Sequence, residues 1–186
     1  MTSKANFWIR WRVPVGYPVG IAAFWFARPQ MKWLLCGAGI AICGLLVRGY
    51  AAGHLRKHKQ LATSGPYAFT RNPLYLGSVL LAAGFSAASH SWISALLLAA
   101  YLAIFYPMVI RREQGELERQ YGAAFVEYMS KVPAFWPRLS PATASTARFS
   151  WSLYRQNREY EAAIGLVVAM AILWVLMLWR GQYHML

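Results

Sequence analysis

The chain has 186 residues, 58% hydrophobic and 13% charged, about half the charged share of a typical soluble domain. Its apolar residues come in long blocks rather than in a 3.6-residue stripe, which argues against a soluble domain and for membrane spans. The formal net charge of +13 invites a nucleic-acid reading, but the distribution of the cations along the chain speaks against it.

The first block, residues 13–27, follows Lys4, Arg10 and Arg12 and contains Pro14 and Pro18. A removable leader fits it poorly, because Arg28-Pro29 stands where a small-residue cleavage site belongs. Ala27-Arg28-Pro29-Gln30 turns the chain into a second block, 33–47, which holds Cys36 and Cys43. At 1.5 Å of rise per residue their Cα atoms lie roughly 10 Å apart, too far to bridge, so both are read as buried apolar fillers. Residues 50–72 are basic at first and then turn-rich around Thr63-Ser64-Gly65-Pro66. Blocks 74–88 and 92–110 form a second hairpin about Ser89-His90-Ser91, the third block being short. Residues 111–131 are expected to continue the fourth block as a cytoplasmic helix. A Pro/Ser/Thr/Ala linker, 139–150, and an interfacial lead-in, 151–160, precede a fifth block, 162–179, that carries no charge.

This pattern predicts an all-α, polytopic membrane helical bundle of about five transmembrane helices with a cytoplasmic cofactor pocket, or four if one boundary fails. It divides into an N-terminal transmembrane hairpin (1–59), a core of two spans plus a helix (60–140), and a linker, interfacial segment and last span (141–186). With five spans, sixteen cations fall on one side and only Arg28, Lys32 and Arg180 on the other. That positive-inside bias places the N-terminus in the cytoplasm and holds this face against anionic headgroups. The bilayer, not nucleic acid, is the expected partner. Gly165 and Ala169, small residues at i, i+4 in the last block, also offer a contact for a homodimer.

Polar chemistry concentrates in Gly65-Pro66-Tyr67-Ala68-Phe69-Thr70-Arg71-Asn72-Pro73-Leu74-Tyr75-Leu76-Gly77. Asn72 is a favoured N-cap and Pro73 a favoured first helical residue, so the third block starts here. A helix start presents free backbone N–H groups and the positive dipole end to a carboxylate or phosphate. Arg71 adds a charged fork beside it. Tyr75 can pack on a ligand, and Gly77 lets something approach the backbone. Each residue also has an ordinary reading, as helix start, inside-facing anchor or aromatic belt. A second constellation is Glu113, Leu117, Tyr121, Ala124 and Tyr128, which share one helical face and place Glu113 on the apolar side. A carboxylate there needs a cation, either from a ligand or from Arg71, Arg111 or Arg112. His54 and His58 have i, i+4 metal-ligand spacing, but with cations around them and no third ligand no metal site is expected.

Together the two constellations resemble the signature of the isoprenylcysteine carboxyl methyltransferase and phospholipid methyltransferase superfamily. The matching positions are Gly65-Pro66-Tyr67, Arg71-Asn72-Pro73, Tyr75, Gly77, Gly84, Glu113, Leu117, Tyr121-Gly122, Tyr128, and Val132-Pro133 to Trp136-Pro137, within residues 60–140. The resemblance implies S-adenosylmethionine as cofactor, bound by Gly65, Tyr67, Arg71, Asn72, Pro73, Tyr75, Gly77, Glu113, Tyr128 and Pro133. It implies Glu113, with Arg112 and Gln114 beside it, as the catalytic group, and residues 132–137 as a cover for the adenine. The acceptor would be a lipid or hydrophobic small molecule entering from the bilayer. Three positions depart from the pattern: Asn72 replaces a histidine usual in the prenylcysteine branch, Gln114 a second glutamate, and Ala134 an arginine found in many carboxyl-methylating relatives. Two other readings compete. One is an NADPH-dependent membrane sterol or steroid reductase, whose C-terminal pattern is similar but which Leu74 and Ser78 do not fit. The other is a non-enzymatic membrane protein that has kept the fold.

Overall fold

A computed structural model of the chain describes residues 3–56, 60–142 and 147–183. Among them the regular structure is helical throughout: α1 Ser3–Phe26, α2 Met31–Ala52, α3 Pro73–Ser89, α4 Trp92–Tyr121, α5 Ala123–Lys131, α6 Trp151–Gln156 and α7 Tyr160–Tyr183, with a 3₁₀ turn at Gly65–Ala68. Helices are what apolar blocks of this length must form, because lipid offers no partner to backbone N–H and C=O groups. Each of the five apolar blocks becomes a helix. Three of these are long and apolar enough to cross a bilayer, Met31–Ala52, Trp92–Tyr121 and Tyr160–Arg180, while α3 is shorter at 17 residues. Helix α1 starts at Ser3, well before the expected residue 13, and runs through Pro14 and Pro18.

The single helix expected over 111–131 is two. Helix α4 continues past the apolar block to Tyr121 and breaks at Gly122, whose φ of +53° suits a residue without Cβ.

The chain divides into two compact units. The first comprises Met1–Cys43, Val79–Val109 and Ile164–Leu186. Its tightest contact joins α2 to α3 through small residues. A Cβ added to Gly37 would collide with the Gly84 carbonyl oxygen, and one added to Gly84 would lie 2.5 Å from the Ala41 nitrogen. Gly37/Ala41 and Gly84/Ala88 are each an i, i+4 pair, the small-residue arrangement that lets membrane helices approach backbone to backbone. Around it Ala27, Leu34, Ala88 and Leu173 are buried, with Phe24 and Phe85 edge to face at 4.9 Å. The loop ends are tied by polar bonds: Arg28 N–H donates to the Ser89 carbonyl (2.7 Å), Ser94 Oγ to the Ala23 carbonyl (2.7 Å), and the Arg180 guanidinium to the Ala27 and Trp25 carbonyls. Cys36 and Cys43 are exposed on α2, not buried as their apolar character suggested.

The second unit, Gly44–Ser78 and Ile110–Ala163, contains the turn at 65–72, α5 and α6.

Because the α2–α3 contact leaves no room for a methyl group, Gly84→Ala should lower the thermal midpoint of the detergent-solubilised protein by an amount equivalent to about 1–3 kcal/mol. Gly165→Ala, where nothing lies within 4 Å of the added Cβ, should leave it unchanged or raise it slightly. Equal midpoints for the two variants would refute the close approach.

Candidate functional site

The polar residues singled out by the sequence lie in the second unit, and its backbone shows why they sit where they do. Gly65 takes φ +57° directly over the His54 ring, where a Cβ would fall 2.6 Å from Cδ2. His54 Nδ1 is 2.9 Å from the Tyr50 carbonyl and donates to it, which fixes the ring under the turn. Pro66 then accepts from the Phe69 and Thr70 N–H groups (3.1 and 3.2 Å), closing one tight helical turn.

Residues 68–72 leave that turn alongside the segment that comes after α5. Arg71 N–H donates to the Pro133 carbonyl (2.9 Å), Thr70 Oγ1 to Phe135 (2.9 Å) and Asn72 Nδ2 to Ala134 (2.7 Å). In return Arg138 N–H donates to Phe69 (3.0 Å) and Ala142 N–H to Ala68 (2.9 Å). Thr70 and Asn72 are buried, so these bonds satisfy groups that water does not reach. Asn72 occupies the N-cap position of α3, its carbonyl accepting from Leu76 N–H at 3.0 Å. Its side-chain amide is directed to the return segment.

The charged groups are arranged around this start of α3. Arg71 has its Nε and Nη1 buried with no hydrogen-bond partner among the described residues. Burial lowers its pKa, against an opposing effect of Tyr128. Tyr75, on the first turn of α3, donates its hydroxyl to Glu113 Oε1 at 2.7 Å, so members of the two constellations, 38 positions apart, are brought together. Glu113 itself is exposed, not embedded in an apolar face. Leu117 and Tyr121 do pack inward, but the break at Gly122 shifts the helical phase of α5: Ala124 is exposed, and Phe125, Tyr128 and Val132 form the core with Leu61 and Met129. Tyr128 donates to the Tyr67 carbonyl (2.8 Å). Burial, above all, raises the pKa of both phenols; at Tyr67 the neighbouring Tyr128, Glu113 and Glu159 push the same way against Arg48. Arg112 is turned to Glu116 in an exposed i, i+4 pair (2.8 Å), and Gln114 is half-buried.

Two residues that the sequence reading did not single out lie close by. Arg48 of α2 binds both carboxylate oxygens of Glu159, which is only 6% exposed, and also donates to Ser78 Oγ (2.5 Å) and the Leu74 carbonyl (3.3 Å). The space over Gly77 is taken by this side chain, an added Cβ falling 2.5 Å from Arg48 Cγ and 2.7 Å from the Gly44 carbonyl oxygen. A cation at the end of a predicted span and an acid just before another were the available signal, but nothing in the sequence paired them across 111 positions. Among the described residues no three His, Cys, Asp or Glu form a metal-ligand cluster, and His58 lies outside those residues.

Comparison with known proteins supplies the family. Residues 40–124 match the model for phospholipid methyltransferases. This segment belongs to the phospholipid methyltransferase family. The chain is 35% identical over 139 residues to the cobalt-zinc-cadmium resistance protein CzcN of Cupriavidus metallidurans, covering 70% of this chain and 63% of that one. It is 39% identical over 123 residues to the nickel-cobalt-cadmium resistance protein NccN of Alcaligenes xylosoxydans xylosoxydans, covering 66% and 49%. The protein-S-isoprenylcysteine O-methyltransferase B of Arabidopsis thaliana is 26% identical over 119 residues, 61% of this chain and 60% of that one. The chain thus spans less than two thirds of the length of each of these relatives. No solved structure matches it. With three helices long and apolar enough to cross a bilayer and a segment that matches the phospholipid methyltransferase family, the chain is an integral membrane protein. The family match takes in Arg48, the 65–77 stretch and Glu113, and stops before Tyr128, the return segment and Glu159.

The bonds between the turn and its return segment contribute separably. Tyr128→Phe should cost about 0.5–1.5 kcal/mol, one net hydrogen bond, and Asn72→Ala about 1–3 kcal/mol, because it strands the Ala134 carbonyl. Thermal unfolding in detergent reads both. A larger loss for Tyr128→Phe than for Asn72→Ala would contradict this ordering.

Proposed function

We propose that this protein is an S-adenosylmethionine-dependent methyltransferase of the membrane, acting on a lipid or other hydrophobic small molecule. The observation that carries the reading is the edge of the Arg71 guanidinium at the start of α3, buried and without a partner among the described residues. It lies within the family-matched segment, four residues before Tyr75, the partner of Glu113. Buried guanidinium donors without acceptors call for an anion, and the amino-acid carboxylate of the cofactor is one. The N-terminal N–H groups of α3, from Asn72-Pro73 onward, favour the same charge. Glu113 and the rings of Tyr75 and Tyr67 suit the cofactor's cationic groups. The residues present therefore fit the group.

When bound, the cofactor supplies an electrophilic methyl group. The chain's own contribution is to bind, orient and exclude water, since in-line displacement depends chiefly on alignment and desolvation. Gly65 lets the His54 ring close on the turn and Gly77 lets Arg48 close on α3. Tyr128 and Pro133 donate or accept bonds that hold Tyr67 and Arg71, and Gln114 and Arg112 flank Glu113. A proton lost by an amine or thiol acceptor would pass to Glu113. The positive-inside pattern of the sequence supports a cytoplasmic side for this site.

A second reading, a metal-handling membrane protein, draws support from the names of the two bacterial relatives. Calorimetry on the purified protein separates the two. S-adenosylmethionine should bind, and Arg71→Ala should weaken it by about 10- to 100-fold, the worth of a charge-assisted hydrogen bond. Arg71→Lys should recover only part of the loss, because it lacks the planar fork, and Glu113→Gln should weaken binding in the same direction. Binding of NADPH alone would favour a reductase, and binding of Co²⁺ or Cd²⁺ without S-adenosylmethionine the metal-handling reading.

A further inference from the structure

The segment 147–163 lies beyond the family match, yet it closes over the C-terminal end of α2 in the second unit. Asn157 Nδ2 donates to the Ala52 and Leu55 carbonyls, both at 2.9 Å, and Ser150 N–H donates to the Gly53 carbonyl at 3.0 Å. Ala52 is the last residue of α2 and Gly53 and Leu55 follow it, so these bonds tie the segment to the helix end. Phe149 stacks on Tyr50 at 6.3 Å and occupies the space over Gly53, where an added Cβ would collide with its ring. The segment then turns through Arg158 at φ +55°, a conformation that favours glycine and is held here by the bonds on either side. That turn delivers Glu159 to Arg48.

Arg48 passes the contact on. Its other donors reach the Leu74 carbonyl and Ser78 Oγ, on the opening turns of α3 that also carry Tyr75. Removing the carboxylate would leave a half-buried guanidinium uncompensated and free to abandon these two acceptors. Position 114 is a glutamine, and the acid that Arg48 links to the opening turns of α3 lies outside the family segment.

We infer that Glu159 is a positioning residue of the cofactor site: acting through Arg48, it fixes the opening turns of α3, and the docking of residues 147–163 thereby sets cofactor affinity. The inference rests on the reading of the protein as an S-adenosylmethionine-dependent methyltransferase.

The test uses the full-length protein in lipid nanodiscs, with S-adenosylmethionine titrated by calorimetry and amide exchange followed over residues 73–78 and 147–163. Glu159→Gln should weaken S-adenosylmethionine binding about tenfold and speed exchange in both stretches. Because that variant also loses stability, the apolar pair Arg48→Met/Glu159→Leu provides the decisive comparison. Replacing a buried ion pair by packed apolar residues commonly restores stability, so the double variant should regain the wild-type melting temperature while its cofactor binding stays weak. If it regains binding along with stability, or if Glu159→Gln binds as tightly as wild type, the pair is structural only and the inference is overturned. Wild-type protein that binds no S-adenosylmethionine would instead overturn the methyltransferase reading, and this inference with it.

Discussion

A guanidinium placed among apolar helices is tolerated only when its donors are claimed, and the second unit is organised around one that is. Arg48 gives Nε and Nη2 to Glu159 and Nη1 to Leu74 and Ser78. The desolvation of two such charges is costly, and mutual attraction offsets it only when geometry is good and the remaining donors are satisfied. Here the arrangement draws together the end of α2, the start of α3 and the lead-in to α7. Gly77 is part of the same solution, since any side chain there would collide with the arginine stem. The glycine that looked in the sequence like an opening for a ligand is an opening for Arg48.

Arg71 is the opposite case. Its backbone N–H is held by Pro133, while Nε and Nη1 are buried without a partner among the described residues. The two arginines lie in one unit, and they are treated differently. A carboxylate, a hydroxyl and a carbonyl are committed to Arg48, and none of the described residues meets the buried edge of Arg71. An unsatisfied buried donor calls for an explanation, and an anionic ligand is the simplest that chemistry offers.

Much of this was legible in the sequence because it is local. The five apolar blocks became helices and Asn72-Pro73 did open α3. What was not legible is non-local or depends on one dihedral. Extending a 3.6-residue period through Gly122 put Ala124 on the buried face, whereas a φ of +53° there hands that place to Phe125. Glu113 was expected among apolar side chains because Leu117 and Tyr121 share its face, but α4 carries it out to an exposed position at which Tyr75 comes to it. The Arg48–Glu159 pair joins residues whose neighbours in sequence give no hint of each other.

The position of Ala134 shows how little a side-chain pattern says about a site built from backbone. In the sequence, the absence of an arginine there looked like a loss. In the structure the residue contributes its carbonyl, which takes the Asn72 amide at 2.7 Å, between the Pro133 carbonyl that takes Arg71 N–H and the Phe135 carbonyl that takes Thr70. Three consecutive carbonyls thus hold three consecutive residues at the mouth of α3. A change of side chain at 134 can leave this frame intact, because the frame uses only main-chain oxygens on that side. A change at 72 cannot, because there the side chain is the donor. Variation at 134 can therefore leave unaltered the way the mouth of α3 is held.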